Sequence, residues 1–332
     1  MLVIELKKQL NVALLLITVR SGSMKIIAGS AHNQLAEDIA SHLGTTVADV
    51  TVDAFPDGET FVQINENVRG EDIFIVQPTC PPTNHNLMEL LIMVDAARRA
   101  SAGSIIAVMP FFGYARQDRK DKSRVPITAK LVANLISAAG VNRVVTMDLH
   151  AAQIQGFFDI PVDHLYARPV MVKYLRDECG VDGKNLVVVS PDVGGVKNAR
   201  AYSDALNADL AIVAKHRVSA TKVEATNVIG DVEGKDAFLI DDMTETGGTL
   251  CAAAKILKEN GCKRIFAGVS HAVIGDAARK KIEDSEIEDL ITTNSVPQAF
   301  GKNVTPLSIA PLFGEAIRRI HNGESVTSLF DM

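Results

Sequence analysis

Between Phe238 and Leu250 the chain reads FLIDDMTETGGTL: an apolar run, two adjacent carboxylates, then a loop of small hydroxyl and glycine residues. Gly247 and Gly248 permit positive-φ turns and close approach of a ligand to the backbone. Thr246 and Thr249 add hydroxyl donors, and a helix starting here would favour negative charge at its N-terminus. Such a loop suits a phosphate monoester. Asp241 and Asp242 are acceptors, matched to the two donors of a sugar diol. Phosphate on one side and diol on the other describe a pentose 5-phosphate. A glycine turn with capping acids has the same outline, so the stretch alone leaves that choice open. The P-loop alternative fails, because no G-x-x-x-x-G-K-S/T occurs and the loop holds no lysine.

The elements that must carry these groups follow from hydrophobic patterning. From Met24 onward short apolar runs recur: KIIAGS, DIFIVQ, SIIAVMP, RVVTMDLH, NLVVVSPD, LAIVAK, AFLIDD, RIFAGVS and LITTNS. Helical patterns such as NLMELLIMVDAARRA and PITAKLVANLISAAG lie between them; in the second, Pro126 suits the first turn and Gly140 the stop. The alternation predicts an α/β fold of mostly parallel sheets flanked by helices on both faces. Polar residues close several strands: Gln77, Asp148 and His150, Asp192, Lys215, and Asp241 with Asp242. Ligands of open α/β sheets bind beyond the carboxyl ends of strands, so these ends predict one shared crevice.

The chain also repeats itself. IFIVQPTCPPTNHNLMELLIMVDAARRASAGSIIAVMP and AFLIDDMTETGGTLCAAAKILKENGCKRIFAGVS share the order strand, loop, helix, strand, and only the second carries the acid pair and glycines. Two similar domains are therefore expected, 24–166 and 167–332, with the last ~25 residues packing back on the first. Residues 1–23 read as an extension before the first strand. Their apolar run LNVALLLITV is too short to span a bilayer. A net charge of −6 gives no general attraction to nucleic acid or an anionic membrane. Four cysteines without metal spacing point to free thiols and a cytoplasmic protein.

The acid pair followed by T-E-T-G-G-T is similar to the phosphoribosyl-diphosphate-binding motif of type I phosphoribosyltransferases. That superfamily includes nucleobase transferases and the ribose-phosphate pyrophosphokinases. FPDGE at Phe55–Glu59 and FFGYARQDRKDKSR at Phe111–Arg124 resemble the ATP-contacting segments of the pyrophosphokinases. DLHAAQIQGFFDIPVDHL and SPDVGGVKNAR match two further signatures, and the likeness runs from Met24 to EAIRRIHNGESV. The resemblance implies two type I phosphoribosyltransferase domains. It also implies transfer of the β,γ-diphosphoryl group of ATP to the 1-hydroxyl of ribose 5-phosphate, for nucleotide, histidine and tryptophan biosynthesis.

By that resemblance Phe55, Asp57, Gly58, Glu59, Arg116, Gln117 and Asp118 bind ATP, and His150 and Asp192 bind Mg²⁺, with Asp148, Asp159 and Asp163 as weaker candidates. Asp241, Asp242, Glu245, Thr246, Gly247, Gly248 and Thr249 hold ribose 5-phosphate. Lys215 and Arg217, on one face of an extended segment, stabilise the transition state, and Arg217 also touches the sugar phosphate. The family further implies a homo-oligomer, a hexamer, whose ATP site is completed at a subunit contact. Read without the family, the charged loop RQDRKDK and the basic AKHR are ordinary solvated surface. Departures from the family pattern are Ala214 and VSATKVEA around the basic loop, Glu245 where aspartate is more common, Asn198 for arginine and Pro78 for serine. The departures around the basic loop motivate one rival expectation, a non-catalytic regulatory homologue; a nucleobase phosphoribosyltransferase, sharing the T-E-T-G-G-T motif, is the other.

Overall fold

The computed structural model describes residues 23–181, 183–216, 225–297 and 301–329. The first sheet contains β1 (Met24–Ala28), β4 (Asp72–Val76), β5 (Ser104–Met109), β6 (Arg143–Met147) and β7 (Val162–Leu165), in that order and all parallel. The second has the order β10 (Ala225–Ile229), β9 (Asp209–His216), β8 (Leu186–Ser190), β11 (Asp236–Thr244), β12 (Ile265–Ala272), β13 (Asp289–Thr293), β14 (Val304–Leu307). Within it the β9–β10 pair is antiparallel, and β8, β11, β12, β13 and β14 run parallel with their neighbours. All nine strands expected from the apolar runs are present.

The remaining strands have weaker patterns. β7, β10 and β14 lie at sheet edges, and β2 (Val50–Ala54) pairs with β3 (Thr60–Ile64) in a separate antiparallel hairpin. Edge strands are covered less and therefore carry polar residues or proline, as β14 does at Pro306.

Period-two alternation sends successive strand residues to different cores. Ile27, Ile73, Ile75, Ala107 and Val144 pack with α2 (Thr83–Arg99) and α3 (Thr128–Ala139) on one face of the first sheet. Their neighbours Ile26, Phe74, Val76, Val108 and Val145 join a second core shared with the other sheet, through Val188, Phe238, Ile240 and Phe266. That shared core takes in α1 (Asn33–His42), α4 (Arg168–Asp177), α5 (Val196–Leu206) and α8 (Ala310–Asn322). The opposite face of the second sheet is covered by α6 (Gly248–Glu259) and α7 (Asp276–Glu283). Near the chain's end α8 packs on α1, and His321 Nδ1 meets Asp72 Oδ2 at 2.8 Å.

The duplicated segments fold as β4–α2–β5 and β11–α6–β12, each a strand, a helix and a parallel strand. Gly140 terminates α3 in the left-handed conformation, as expected. Pro126 does not fall in the first turn: α3 begins at Thr128 after Ile127, so the proline only leads the chain into the helix. No described helix is long and apolar enough to cross a membrane. All four cysteines are free, with Cys80 and Cys262 buried.

Candidate active site

Of the polar strand ends, Asp148, His150, Asp192, Asp241 and Asp242 line adjoining clefts, whereas Gln77 is buried and donates to Glu89 Oε1 at 2.9 Å. Beyond β5 the backbone turns at Gly113, whose N–H donates to Thr79 Oγ1 at 2.7 Å. A Cβ at Gly113 would lie 2.4 Å from the Thr79 carbonyl oxygen, so glycine is required by this close backbone approach. Tyr114 adopts φ 65°, Gln117 N donates to Tyr114 O at 2.9 Å, and Ala129 N donates to Gln117 O at 3.2 Å. These bonds hold Arg116 and Gln117 at the mouth of a cleft of about 370 Å³, which Asp148, His150, Asp242, Glu245 and His271 also line. A second cleft of about 510 Å³ follows the same loop past Arg116, Gln117, Asp118 and Arg119 to His150. The third, about 450 Å³, is lined by His150, Asp192, Gly194, Gly195, Asp241 and Asp242. His150 is common to all three.

The motif Asp241–Thr249 divides between strand and helix. Both aspartates lie in the last turns of β11, and α6 starts at Gly248 with Gly247 as its cap at φ +66°. Gly247 N donates to Thr244 Oγ1 at 3.2 Å and Gly248 N to Thr246 Oγ1 at 3.4 Å. Of the two glycines that permit a positive φ, Gly247 takes one and Gly248 does not. A Cβ at Gly248 would lie 3.4 Å from Thr246 Oγ1 and 3.9 Å from Lys281 Nζ.

Asp242 Oδ2 lies 2.6 Å from His150 Nδ1, joining an acid of the second sheet to the end of β6 in the first. The hydrogen bond that His150 donates to the Asp242 carboxylate raises the His150 pKa above its ordinary 6.5, against the effect of burial. Burial pushes Asp242 upward, but the hydrogen bond and charge of His150 outweigh it, and its carboxyl sits below the ordinary carboxylate range. Its neighbour Asp241 is pushed up to about 7, first by burial and then by the Asp242 carboxylate. Two adjacent acids thus differ because one of them owns the cation.

A pH effect on stability follows. The folded-state pKa of Asp241 lies above its ordinary 3.8, so its contribution is fully present below 3.8 and is lost as pH rises through about 7. Asp241→Asn is therefore expected to be more stable than the wild type at pH 8, by on the order of 1–2 kcal/mol, with the difference shrinking toward pH 5. Urea midpoints of the metal-free proteins at both pH values check it; a gap that does not change between them refutes the assignment.

Asp192 follows β8, where Ser190 Oγ donates to Asp192 O at 2.7 Å and Gly195 N donates to Asp192 Oδ1 at 2.9 Å. The Gly195 N–H is therefore already engaged by Asp192. Its other carboxylate oxygen has no protein donor among the described residues. No group of three His, Cys, Asp or Glu among the described residues is placed to hold a metal. Mg²⁺ retains water and takes other ligands from substrate phosphates, so one or two carboxylates are enough. The cleft holding Asp192, Asp241 and His150 meets that requirement, with His150 Nε2 left for a coordinated water or a phosphate oxygen.

Not every expected residue joins this cleft. Phe55–Glu59 form the tip of the β2–β3 hairpin, with Gly58 at φ +90° and Phe55 N donating to Glu59 O at 2.8 Å. Phe55 is 49% exposed and packs edge-on against Phe61, and none of Phe55, Asp57, Gly58 and Glu59 lines the three clefts. Lys215 belongs to β9, opposite Thr226 of β10, while Arg217 and most of VSATKVEA lie outside the described residues. Asp163 is tied to Arg143 at 2.7 Å at the base of β7, away from the strand ends. The expectation that it might hold metal is not supported there.

Sequence reading missed the layer beneath. Asp148, at φ 37°, accepts from Ser270 Oγ at 2.5 Å and from Ala167 N at 2.9 Å. Buried His271 bonds Met147 O at 3.1 Å through Nε2 and Ser295 Oγ at 2.8 Å through Nδ1, and burial lowers its pKa. His164 accepts from Leu149 N at 2.9 Å. These contacts pin the Asp148–His150 turn to β12 of the other sheet. Ser270 and His271 stood inside an apolar strand, FAGVSHAV, where a polar pair was the available signal.

Comparison with known proteins shows the family. Residues 24–140 match the model of the N-terminal domain of ribose phosphate pyrophosphokinase, and 217–331 match the phosphoribosyl synthetase-associated domain. The ribose-phosphate pyrophosphokinase of Vibrio parahaemolyticus is 54% identical over 315 residues, covering 93% of this chain and 99% of that protein. That of Helicobacter pylori is 52% identical over 308 residues, covering 92% and 96%. The crystal structure of phosphoribosylpyrophosphate synthetase from Mycobacterium smegmatis superposes with a TM-score of 0.86 at 41% identity, covering 91% of this chain and 99% of that one.

Proposed function

This chain belongs to the ribose-phosphate pyrophosphokinase family, and on that premise we propose how its residues divide the reaction. The activity is transfer of the β,γ-diphosphoryl group of ATP to the 1-hydroxyl of ribose 5-phosphate, yielding 5-phosphoribosyl 1-diphosphate and AMP. The hydroxyl oxygen forms a bond to the β-phosphorus as the bond to the AMP oxygen breaks, the two oxygens lying in line. The observation that carries the division is the meeting of three groups of residues at His150: the Arg116–Asp118 loop, the Asp192 turn and the Asp241–Asp242 pair.

Thr246, Gly247, Gly248 and Thr249 receive the 5-phosphate at the N-terminus of α6, where backbone N–H groups and the helix dipole favour an anion. Asp241 and Asp242 face the ribose hydroxyls as acceptors. Arg116, Gln117 and Asp118 take the nucleotide. Asp192, with His150 through water or phosphate, would hold Mg²⁺, which neutralises charge on the triphosphate when bound. Lys215 and Arg217 carry the positive charge that meets the developing transition state, an assignment resting on their sequence match.

Phe55, Asp57, Gly58 and Glu59 contribute to ATP binding in a neighbouring subunit of a homo-oligomer, a hexamer by family resemblance. Their exposure, and their distance from this chain's own clefts, support that reading. The domain boundary is placed between Leu165, where β7 ends, and Arg168, where α4 begins.

Incubation with ATP, Mg²⁺ and ribose 5-phosphate should release AMP and phosphoribosyl diphosphate in equal amounts. A protein that forms no AMP with or without phosphate, or that consumes phosphoribosyl diphosphate only with a nucleobase, would overturn the proposal.

A further inference from the structure

Glu245 lies inside the sugar-phosphate motif, yet its side chain is committed elsewhere. Its Oε1 accepts from Arg116 Nη2 at 2.6 Å and its Oε2 from Arg116 Nη1 at 3.0 Å, a two-pronged carboxylate–guanidinium fork. The partners are 129 positions apart in the chain and stand on opposite sheets, Arg116 after β5 and Glu245 after β11. Both line the same cleft, beside His150 and Asp242.

We propose that Glu245 is a positioning residue for the nucleotide: it aligns Arg116 from across the cleft and couples the sugar-phosphate loop to the ATP loop. This rests on the assignment of Arg116 to ATP given above. A guanidinium has five N–H donors in one plane. The fork uses two of them and leaves three, including Nε–H, for phosphate oxygens of the nucleotide. Fixing the plane beforehand reduces the rotamer freedom lost when ATP binds.

Length matters here. Aspartate, one methylene shorter, would meet the guanidinium in the same fork only if the exposed Arg116 side chain moved toward it, away from its present alignment. The longer acid at this place thus has a reason that ribose binding does not supply. The ion pair is half exposed and adds little to folding. Its consequence is in ligand geometry.

The test compares wild type with Glu245→Gln and Glu245→Asp as the full-length oligomer, each checked by thermal melting. Steady-state AMP formation gives KM for each substrate, and calorimetry gives the affinity for a non-hydrolysable ATP analogue with Mg²⁺. For Glu245→Gln the expected results are a rise of about tenfold in KM for ATP, an equal loss of analogue affinity, and a KM for ribose 5-phosphate within about twofold. Glu245→Asp should show the same split in smaller measure. A rise confined to ribose 5-phosphate overturns the proposal and restores Glu245 as a sugar ligand. Unchanged ATP affinity in a folded variant overturns it too. Wild-type protein that binds the analogue but makes no AMP counts against the activity, while analogue affinity still decides the role of Glu245.

Discussion

Asp242→Asn is expected to lower kcat/KM for diphosphoryl transfer by about 100-fold while leaving the fold intact. The carboxylate is 2.6 Å from His150 Nδ1 and maintains both its orientation and its raised pKa. An asparagine keeps the shape but removes the charge, so His150 loses its preference for the protonated form. It can also present an amide N–H where an acceptor is needed, turning the ring. Asp241 then loses the neighbouring carboxylate that helps push it up to about 7, so the electrostatics of the whole strand end are reset. Two measurements check this: steady-state AMP formation, and an NMR titration of His150, whose pKa should fall toward its ordinary value. Activity within threefold of wild type, with the His150 titration unmoved, would show the pair to be incidental.

The second large effect lies one layer deeper. Ser270→Ala should destabilise the protein by about 2–3 kcal/mol, because it removes a hydrogen bond to a carboxylate and leaves Asp148 with less compensation for its burial. Ser270 is 2% exposed on β12, and its hydroxyl donates to Asp148 Oδ2 at 2.5 Å. A second donor to that oxygen, Ala167 N, comes from the connection into α4. Asp148 adopts φ 37°, a conformation that side chains rarely tolerate without such support. Since this turn carries His150, kcat should fall by about tenfold at unchanged ribose 5-phosphate affinity. Urea unfolding and steady-state kinetics on the same preparation test both halves. A stability loss without any change in kcat would make Ser270 a core residue and nothing more.

Which parts were legible follows from where information is local. Eight of the nine expected strands lie inside a sheet, where residues buried on both faces must be apolar in an unbroken run, and β1, at an edge, still has a buried apolar centre at Ile26 and Ile27. β10 and β14 were not legible, because edge strands are half solvated and tolerate residues such as Asn227 and Pro306, and β7 was hidden by its four-residue length and its buried polar pair Asp163 and His164. The strand-to-helix turn at Thr246–Thr249 was legible as local structure, its glycine at φ +66° written in two letters. The split between Gly247 and Gly248 was not, since either glycine could have taken the turn.

Contacts between distant residues are a different matter. Nothing in RQDRKDK or TETGGT says that Arg116 grips Glu245, since that bond depends on how two sheets face each other across a shared core. The same holds for His150 with Asp242 and for Ser270 with Asp148. Sequence by itself determined the repeating strand–helix order, the acid pair and the phosphate-sized turn, because backbone geometry and burial are set by neighbours along the chain. Tertiary structure alone decided which carboxylate holds the histidine, which is pushed up to about 7, and which reaches over to the ATP loop. Those outcomes depend on distances of a few ångströms between residues more than ninety positions apart, where hydrogen bonds and charge act at short range.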